Sequence, residues 1–334
     1  MPTVTTMTRA VNAMTPPARV LQNLFFPPQT YKFIPTKTVQ FDVKRGGRRI
    51  APFCSYYDQS KRVSRKGFQT NTYELPHINL VEFIATIDLQ LDRVLGQNPI
   101  LPEGMSLSGF RNEKIAEMQF DLRSMIENRI ELMIAQLLYG SMDVSGDNVN
   151  YKIDLGMPTA NKPVKTGTAR WGQSAAQIAK DIRAWKRVIS SATGYSANVM
   201  LLGSEAADAF LDDASVMKQL NNNNYRAGAL TIEGLDYLGR YAGLDVYERS
   251  EQYIVPGTSD AAAFIDPKSA ILHATASEKR MHWGSVFDND AVSLMPFFSK
   301  EKPSDDPSGV NVWVKSSPLP VFVDVEATVS ATVC

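Results

Sequence analysis

An α+β fold is predicted by three features of the sequence. No glycine or proline interrupts the run between Gly109 and Gly140, the C-terminal tail alternates apolar residues with period two, and short strand-like and helix-like segments succeed one another from Tyr195 onward. In the first run, Ile115, Met118, Leu122, Met125, Ile126, Ile130, Met133 and Leu137 recur at steps of three and four, the mark of one helical face. Glu117, Asp121, Ser124 and Asn128 fall on the opposite face. A helix over 111–139 is about 40 Å long at 1.5 Å per residue. With one apolar stripe, it needs a long flat partner.

The tail supplies a candidate. Val321, Val323, Val325, Ala327, Val329, Ala331 and Val333 alternate, as do Val310, Val312 and Val314 before them. A continuous strand over 321–333 would span about 40 Å, matching the helix. The chain then divides into an arm (1–35), a strand with an extended loop (36–78), a region built on the long helix (79–190), an inserted α/β unit (191–295) and a return to the helical region (296–334).

In chain order, the arm is polar and threonine-rich. A helical turn at Ala10–Met14 is stopped by Pro16 and Pro17. Leu21, Leu24, Phe25 and Phe26 form an apolar knot that needs a docking surface on the same chain or on a neighbour. Residues 38–43, TVQFDV, alternate as a strand. Lys44 to Lys66 then carries Lys44, Arg45, Arg48, Arg49, Lys61, Arg62, Arg65 and Lys66, with Asp58 as its only acid and Phe53, Tyr56 and Tyr57 interleaved. Such a segment can bind nucleic acid, stand as a solvated hairpin, or meet an acidic neighbour. Tyr73 to Leu132 is acidic, with Glu82, Glu113, Glu117, Asp121, Glu127 and Glu131 among its carboxylates. A basic loop beside an acidic helix suggests copies that lie on each other, because opposite potentials steer and register an interface.

Beyond the long helix, 148–157 reads as a strand and turn, and 162–172 as a loop ending at Trp171. Ser174-x-x-Gln177 predicts a capping box opening a second amphipathic helix with Ile178, Ile182, Trp185 and Ile189 inward. Ala197–Leu202, Leu244–Glu248, Gln252–Val255, Ala261–Ile265 and Ala270–Ala274 read as short strands, and Ser204–Leu220 as one or two helices. Residues 299–309 read as a polar loop.

The composition excludes several classes. The 334 residues are 44% hydrophobic with 35 basic and 35 acidic side chains, a balance that disfavours a protein devoted to gripping nucleic acid. No 18-residue apolar run predicts a membrane helix, and the N-terminus lacks the apolar block of a signal peptide. Cys54 and Cys334 form no zinc or disulfide framework. His77, His273 and His282 have no metal-ligand spacing, and no nucleophile elbow or phosphate-binding glycine loop occurs. Asp288-Asn289-Asp290 and Asp305-Asp306 lack the rest of a calcium loop and read as solvated turns. No cofactor, metal or catalytic residue is expected, and no enzyme.

The order of these pieces resembles the major capsid protein E family of tailed phages, the lambda-type shell proteins. The matching pieces are Leu21-x-x-Leu24-Phe25-Phe26, Ile50-Ala51-Pro52 in the basic loop, Tyr73-Glu74-Leu75-Pro76, the long helix, the Trp171 turn, Asn198–Gly203, Tyr241–Tyr247 and Lys315–Val321. The resemblance implies the Hong Kong phage (HK97-like) fold. Its parts are an N-terminal arm, an extended hairpin lying over a neighbour, a peripheral domain with a spine helix on a sheet, and an axial domain meeting its copies at five-fold and six-fold axes. It implies self-assembly as pentamers and hexamers into an icosahedral shell around double-stranded DNA. The implied helpers are scaffolding and portal proteins and, in the lambda-type branch, a decoration protein; no membrane is involved. A cargo-enclosing nanocompartment of the same fold is the alternative. The expected inter-subunit residues are the eight basic residues above, Phe25, Phe26, Glu113, Glu117 and Asp121.

Overall fold

The computed structural model describes residues 3–14, 19–44, 68–86, 107–146, 149–223, 235–289 and 292–334. Helices α1 (Val4–Ala13) and α2 (Val20–Phe25) precede strands β1 (Tyr31–Ile34), β2 (Thr38–Lys44), β3 (Phe68–Glu74) and β4 (Ile78–Ala85). Helix α3 (Leu107–Leu138) is followed by the hairpin β5 (Ser141–Gly146) and β6 (Val149–Asp154), then α4 (Ile178–Thr193). Next come β7 (Val199–Leu202), α5 (Ser204–Leu211), α6 (Ala214–Asn223), β8 (Asp236–Tyr241), β9 (Leu244–Glu248), β10 (Gln252–Ile254), β11 (Ala261–Ala263) and β12 (Ser269–His273). The chain closes with β13 (Lys279–Gly284), β14 (Val286–Phe287), β15 (Val292–Ser293), β16 (Phe298–Asp305), β17 (Ser308–Ser316), β18 (Pro318–Phe322) and β19 (Thr328–Thr332).

The spine α3 buries Ile115, Met118, Leu122, Ile126, Ile130 and Met133, as its spacing requires. Met125, expected on that stripe, is 61% exposed; Ile126 takes the inward position instead. The platform beneath is two sheets rather than one ribbon: β16-β17-β4 and β1-β13-β18. The expected continuous strand over 321–333 is corrected. It breaks at a 3-10 turn, Val325–Ala327, so β18 joins the spine platform while β19 crosses to a five-stranded sheet of order β19-β12-β7-β9-β8. All the tail valines are buried, and period-two spacing in a fully buried run does not reveal such a break.

The five-stranded sheet and α4 form a second core around Trp171, Trp185, Phe210, Leu244 and Val329. The unit expected over 191–295 thus also draws on the chain terminus and on α4. Trp171 anchors the join: its backbone N–H donates to Val333 O at 2.8 Å, and its ring stacks on Trp185 at 5.9 Å. Helix α4 begins at Ile178 with Gln177 as its N-cap and no side-chain cap, so the expected capping box does not form; Ser174 lies in a turn. Gly194 ends α4 at φ 77, the left-handed geometry glycine adopts without steric cost.

Gly203, between β7 and α5, is set by space rather than torsion. A Cβ there would lie 2.2 Å from Asp266 O and 2.7 Å from Pro267 Cα, both backbone atoms that cannot swing away. Gly203→Ala is therefore expected to lower stability by about 1–3 kcal/mol, read as a shift in urea midpoint; an unshifted midpoint would show that the Asp266–Pro267 turn yields freely.

Residues 299–309 are not a loop. They form most of β16 and its turn into β17, with Pro303 tolerated because β16 is an outer strand of its sheet. The polar side chains that disguised the strand have internal partners: Ser299 Oγ accepts from Gln119 Nε2 of the spine at 2.7 Å. Asp288, expected in a solvated turn, is likewise internal. It sits between Lys300 and Lys315, each Nζ at 2.5 Å.

Candidate assembly interface

The arm folds back on its own spine. Arg123, Glu127 and Glu131, spaced by four along α3, form one charged stripe under it. Arg123 Nη1 donates to the carbonyls of Val11 and Met14 at the C-terminal end of α1. Glu127 accepts from Arg123 Nε at 3.1 Å and also pairs with Arg19. Glu131 caps α2, accepting from Leu21 N (2.9 Å) and Gln22 N (2.8 Å), and receives Arg249 Nη1 from the end of β9 at 2.8 Å. The Glu131 and Arg249 side chains are 2% and 1% exposed. The spine thus supplies end caps for two arm helices too short to hold alone.

This arrangement corrects part of the expected interface. Phe25 and Phe26 are fully buried in their own chain, with ring centroids 4.9 Å (Phe25–His273) and 5.1 Å (Phe26–Phe322) from internal partners. They leave no surface for a neighbour. Glu127 and Glu131, counted among the acids of the Tyr73–Leu132 segment, belong to the internal stripe.

The remaining acids point outward. Glu113, Glu117 and Asp121 lie on the exposed face of α3, where Lys114 pairs with Glu117 at 3.1 Å. Glu82 of β4 joins them. Burial raises its carboxyl above the usual range, and the charges of Asp121 and Glu117 push it the same way.

The hairpin stem β2–β3 pairs from Thr38↔Glu74 to Lys44↔Phe68 and joins no other strand among the described residues. Its base is fixed: Leu75 N donates to Lys37 O at 2.9 Å, Tyr73 Oη to Asp154 O at 2.9 Å, and Tyr151 Oη to Glu74 O at 2.9 Å. Burial, and then Glu74, push the Tyr151 hydroxyl up to about 12, so it stays a donor at any physiological pH. Lys44 closes β2; Arg45, Arg48, Arg49, Lys61, Arg62, Arg65 and Lys66 lie outside the described residues.

The three-stranded sheet ends in two unlike edges. Helix α1 covers β16: Thr8 Oγ1 donates to Ser299 O (3.1 Å) and accepts from Ser299 N (3.2 Å), while Asn12 Nδ2 donates to Phe297 O (2.7 Å) and its Oδ1 accepts from Phe297 N (3.3 Å). Sequence reasoning missed this edge cover; its only local trace is Thr8 and Asn12 four apart on α1. No described strand covers β4, whose Val81 and Phe83 are 54% and 40% exposed.

No group of three or more His, Cys, Asp or Glu suited to a metal occurs among the described residues. No helix there is long and apolar enough to cross a membrane. His273 is buried between Thr328 Oγ1 (2.8 Å) and Ser277 Oγ (3.3 Å), and His282 is buried with neither ring nitrogen hydrogen-bonded to a described residue.

The family profile of phage major capsid protein E matches residues 3–333. The chain belongs to the phage major capsid protein E family. As a phage major capsid protein it is a structural component of the virion. Among curated proteins none matches it. A solved Escherichia coli CFT073 prophage protein, assigned as a capsid protein, superposes with TM-score 0.74 at 16% identity, over 97% of this chain and 95% of its own. A phage-related protein from Bordetella bronchiseptica RB50 gives 0.56 at 12% identity, over 97% and 95%. The capsid of cyanophage P-SCSP1u gives 0.50 at 13% identity, over 96% and 89%. This capsid protein therefore has the HK97-like fold. Its α3 is the spine.

Proposed function

We propose that the chain is a wall tile of a phage head. Copies associate as pentamers and hexamers into an icosahedral shell that encloses double-stranded DNA, assembled in the host bacterial cytoplasm with scaffolding and portal proteins and clamped by a decoration protein. The role is structural, without catalysis. The reading rests on one observation: the outer face of the spine carries Glu113, Glu117 and Asp121 with Glu82 beside them, while the sequence gathers its basic residues between Lys44 and Lys66. Within one copy, Glu82, Glu117 and Asp121 crowd one another. Between copies, the basic segment of one relieves the acidic face of the next.

Charge reversal tests this. Arg48→Glu with Arg49→Glu, and separately Glu117→Lys with Asp121→Lys, are each expected to cut particle yield about tenfold or more. Co-assembly of the two double variants should restore closed particles in electron micrographs. Normal assembly of either variant across a salt series would remove the pairing. A monomer that never closes, with its scaffolding protein present, would remove the tile itself.

A further inference from the structure

Helix α4 presents an outer face without acid. Lys180, Arg183 and Arg187, three and four residues apart, lie along its exposed side, opposite the buried Ile178, Ile182, Trp185 and Ile189. Among the described residues no carboxylate pairs with any of the three. The single acid of the helix, Asp181, is turned inward, where it accepts from Lys165 Nζ at 2.5 Å and Trp171 Nε1 at 3.3 Å. Lys186 flanks the same face. Its Nζ donates to Ala242 O in the β8–β9 turn at 2.7 Å, which brings Arg240 alongside. Burial, and then the Arg240 charge, lower the Lys186 pKa. The acids beside the face are engaged: Asp245 pairs with Arg240 at 3.7 Å, and Asp213 accepts from Ser215 N at 2.8 Å and Val216 N at 3.1 Å.

Like charges three and four residues apart weaken a helix. In a chain with 35 bases and 35 acids, a face left unmixed in this way fits a polyanion. We propose that the outer face of α4 binds the phosphate backbone of duplex DNA through Lys180, Arg183, Lys186 and Arg187. The duplex is the ligand supplied by the tile reading above, and the inference rests on that reading to this extent. Lys180 to Arg187 spans about 10 Å of helix axis, the axial length of about three phosphates on one strand. A protein partner needs an apolar anchor at the centre of its contact. Helix α4 exposes no large apolar side chain and offers Ala184 and Ser191 there. A phosphate backbone is met by cations and water. Contacts to phosphate alone carry no sequence information, so the binding is non-specific.

The test uses the full-length chain before assembly and a mixed-sequence duplex of about 30 base pairs, with fluorescence anisotropy followed from about 50 to 200 mM salt. Lys180→Gln, Arg183→Gln and Arg187→Gln together should make the slope of log K against log salt shallower by about 2.7, since each phosphate contact contributes about 0.9. Binding at the low-salt end should weaken about tenfold or more. Lys32→Gln, Lys37→Gln and Lys302→Gln remove the same charge from exposed positions elsewhere and should leave the slope unchanged. Any binding by the basic residues between Lys44 and Lys66 is common to all three proteins and cancels. An α4 variant with the parent's slope overturns the proposal, as does a control that loses as much. All substituted positions are exposed, so urea midpoints should match the parent; if the triple variant falls short, Lys180→Gln with Arg187→Gln is read instead, at about 1.8. Particle yield with the scaffolding protein is measured in parallel. Lost yield with an unchanged slope would assign the face to a protein contact and also overturns the proposal. Failure of the parent to form particles, with the slope difference intact, counts against the tile reading and leaves the DNA face standing.

Discussion

Glu131→Ala is expected to cost about 3–5 kcal/mol of folding stability, because it leaves a buried guanidinium without its main partner. Arg249 would retain the partly exposed Glu251 carboxylate at 3.1 Å and the face of the Phe264 ring, 4.5 Å from its Cζ. The first amides of α2, at Leu21 and Gln22, would lose their acceptors at the same time. Both losses fall at a point where the arm, the spine and the end of β9 meet. Urea unfolding should show the drop, and limited proteolysis should begin to cut within the first 26 residues. Glu131→Leu combined with Arg249→Met should recover much of the lost stability, since apolar groups of similar size need no partner. An arm that stays protected in Glu131→Ala, with less than about 1 kcal/mol lost, would mean that the apolar contacts of Phe25 and Phe26 hold it without the cap.

Acid should weaken the fold through two buried imidazoles. Burial pushes the His282 pKa down to about 4, helped by Arg280 and Lys32. Burial, with Lys279 behind it, holds His273 well below its ordinary 6.5. Both groups bind protons more readily in the unfolded chain, so stability rises with pH across the interval between folded and unfolded values. Their contribution is complete above about 6.5 and is lost as pH falls toward 4. For His282 alone the loss is about 3 kcal/mol. Glu127 titrates in the opposite sense: its burial outweighs Arg19 and Arg123, raising its pKa, so protonation favours the folded state. The histidine part is therefore read as a difference. His282→Leu should flatten the stability curve between pH 6.5 and 4 relative to the parent; parallel curves would mean that His282 carries no proton linkage.

What the sequence revealed follows the range of the interactions involved. The spine was legible because its stripe is local, with steps of three and four and no glycine or proline for its whole length. The short strands of the α/β unit were legible because buried runs such as Val199–Leu202 need no partner to be recognised. The misreadings share a cause. Ser299 and Asp288 look solvated in sequence, yet their partners, Gln119 for one and Lys300 and Lys315 for the other, are far along the chain or across a turn. Glu127 and Glu131 were counted with the acids of Tyr73–Leu132, because a tally of charge along a segment does not say which side chains turn inward. Only the returning arm, more than a hundred residues away, shows Glu127 to be the partner of Arg19 and Glu131 to be a cap. The tail read as one strand because a valine records burial but not which sheet buries it. The basic residues between Lys44 and Lys66 were plain in the sequence, and beyond Lys44 they lie outside the described residues.

The way α1 is held has a consequence for synthesis. Its ten residues leave the ribosome before their anchors, which are Arg123 on the spine and the backbone at Phe297 and Ser299. The last two of these lie 285 and 291 residues further along the chain than Asn12 and Thr8, which they hold. A ten-residue helix without them is marginal in water, so α1, made before its anchors, seats only after they have folded. Until then β16 has no cover, and a second unfinished chain could take the place reserved for α1.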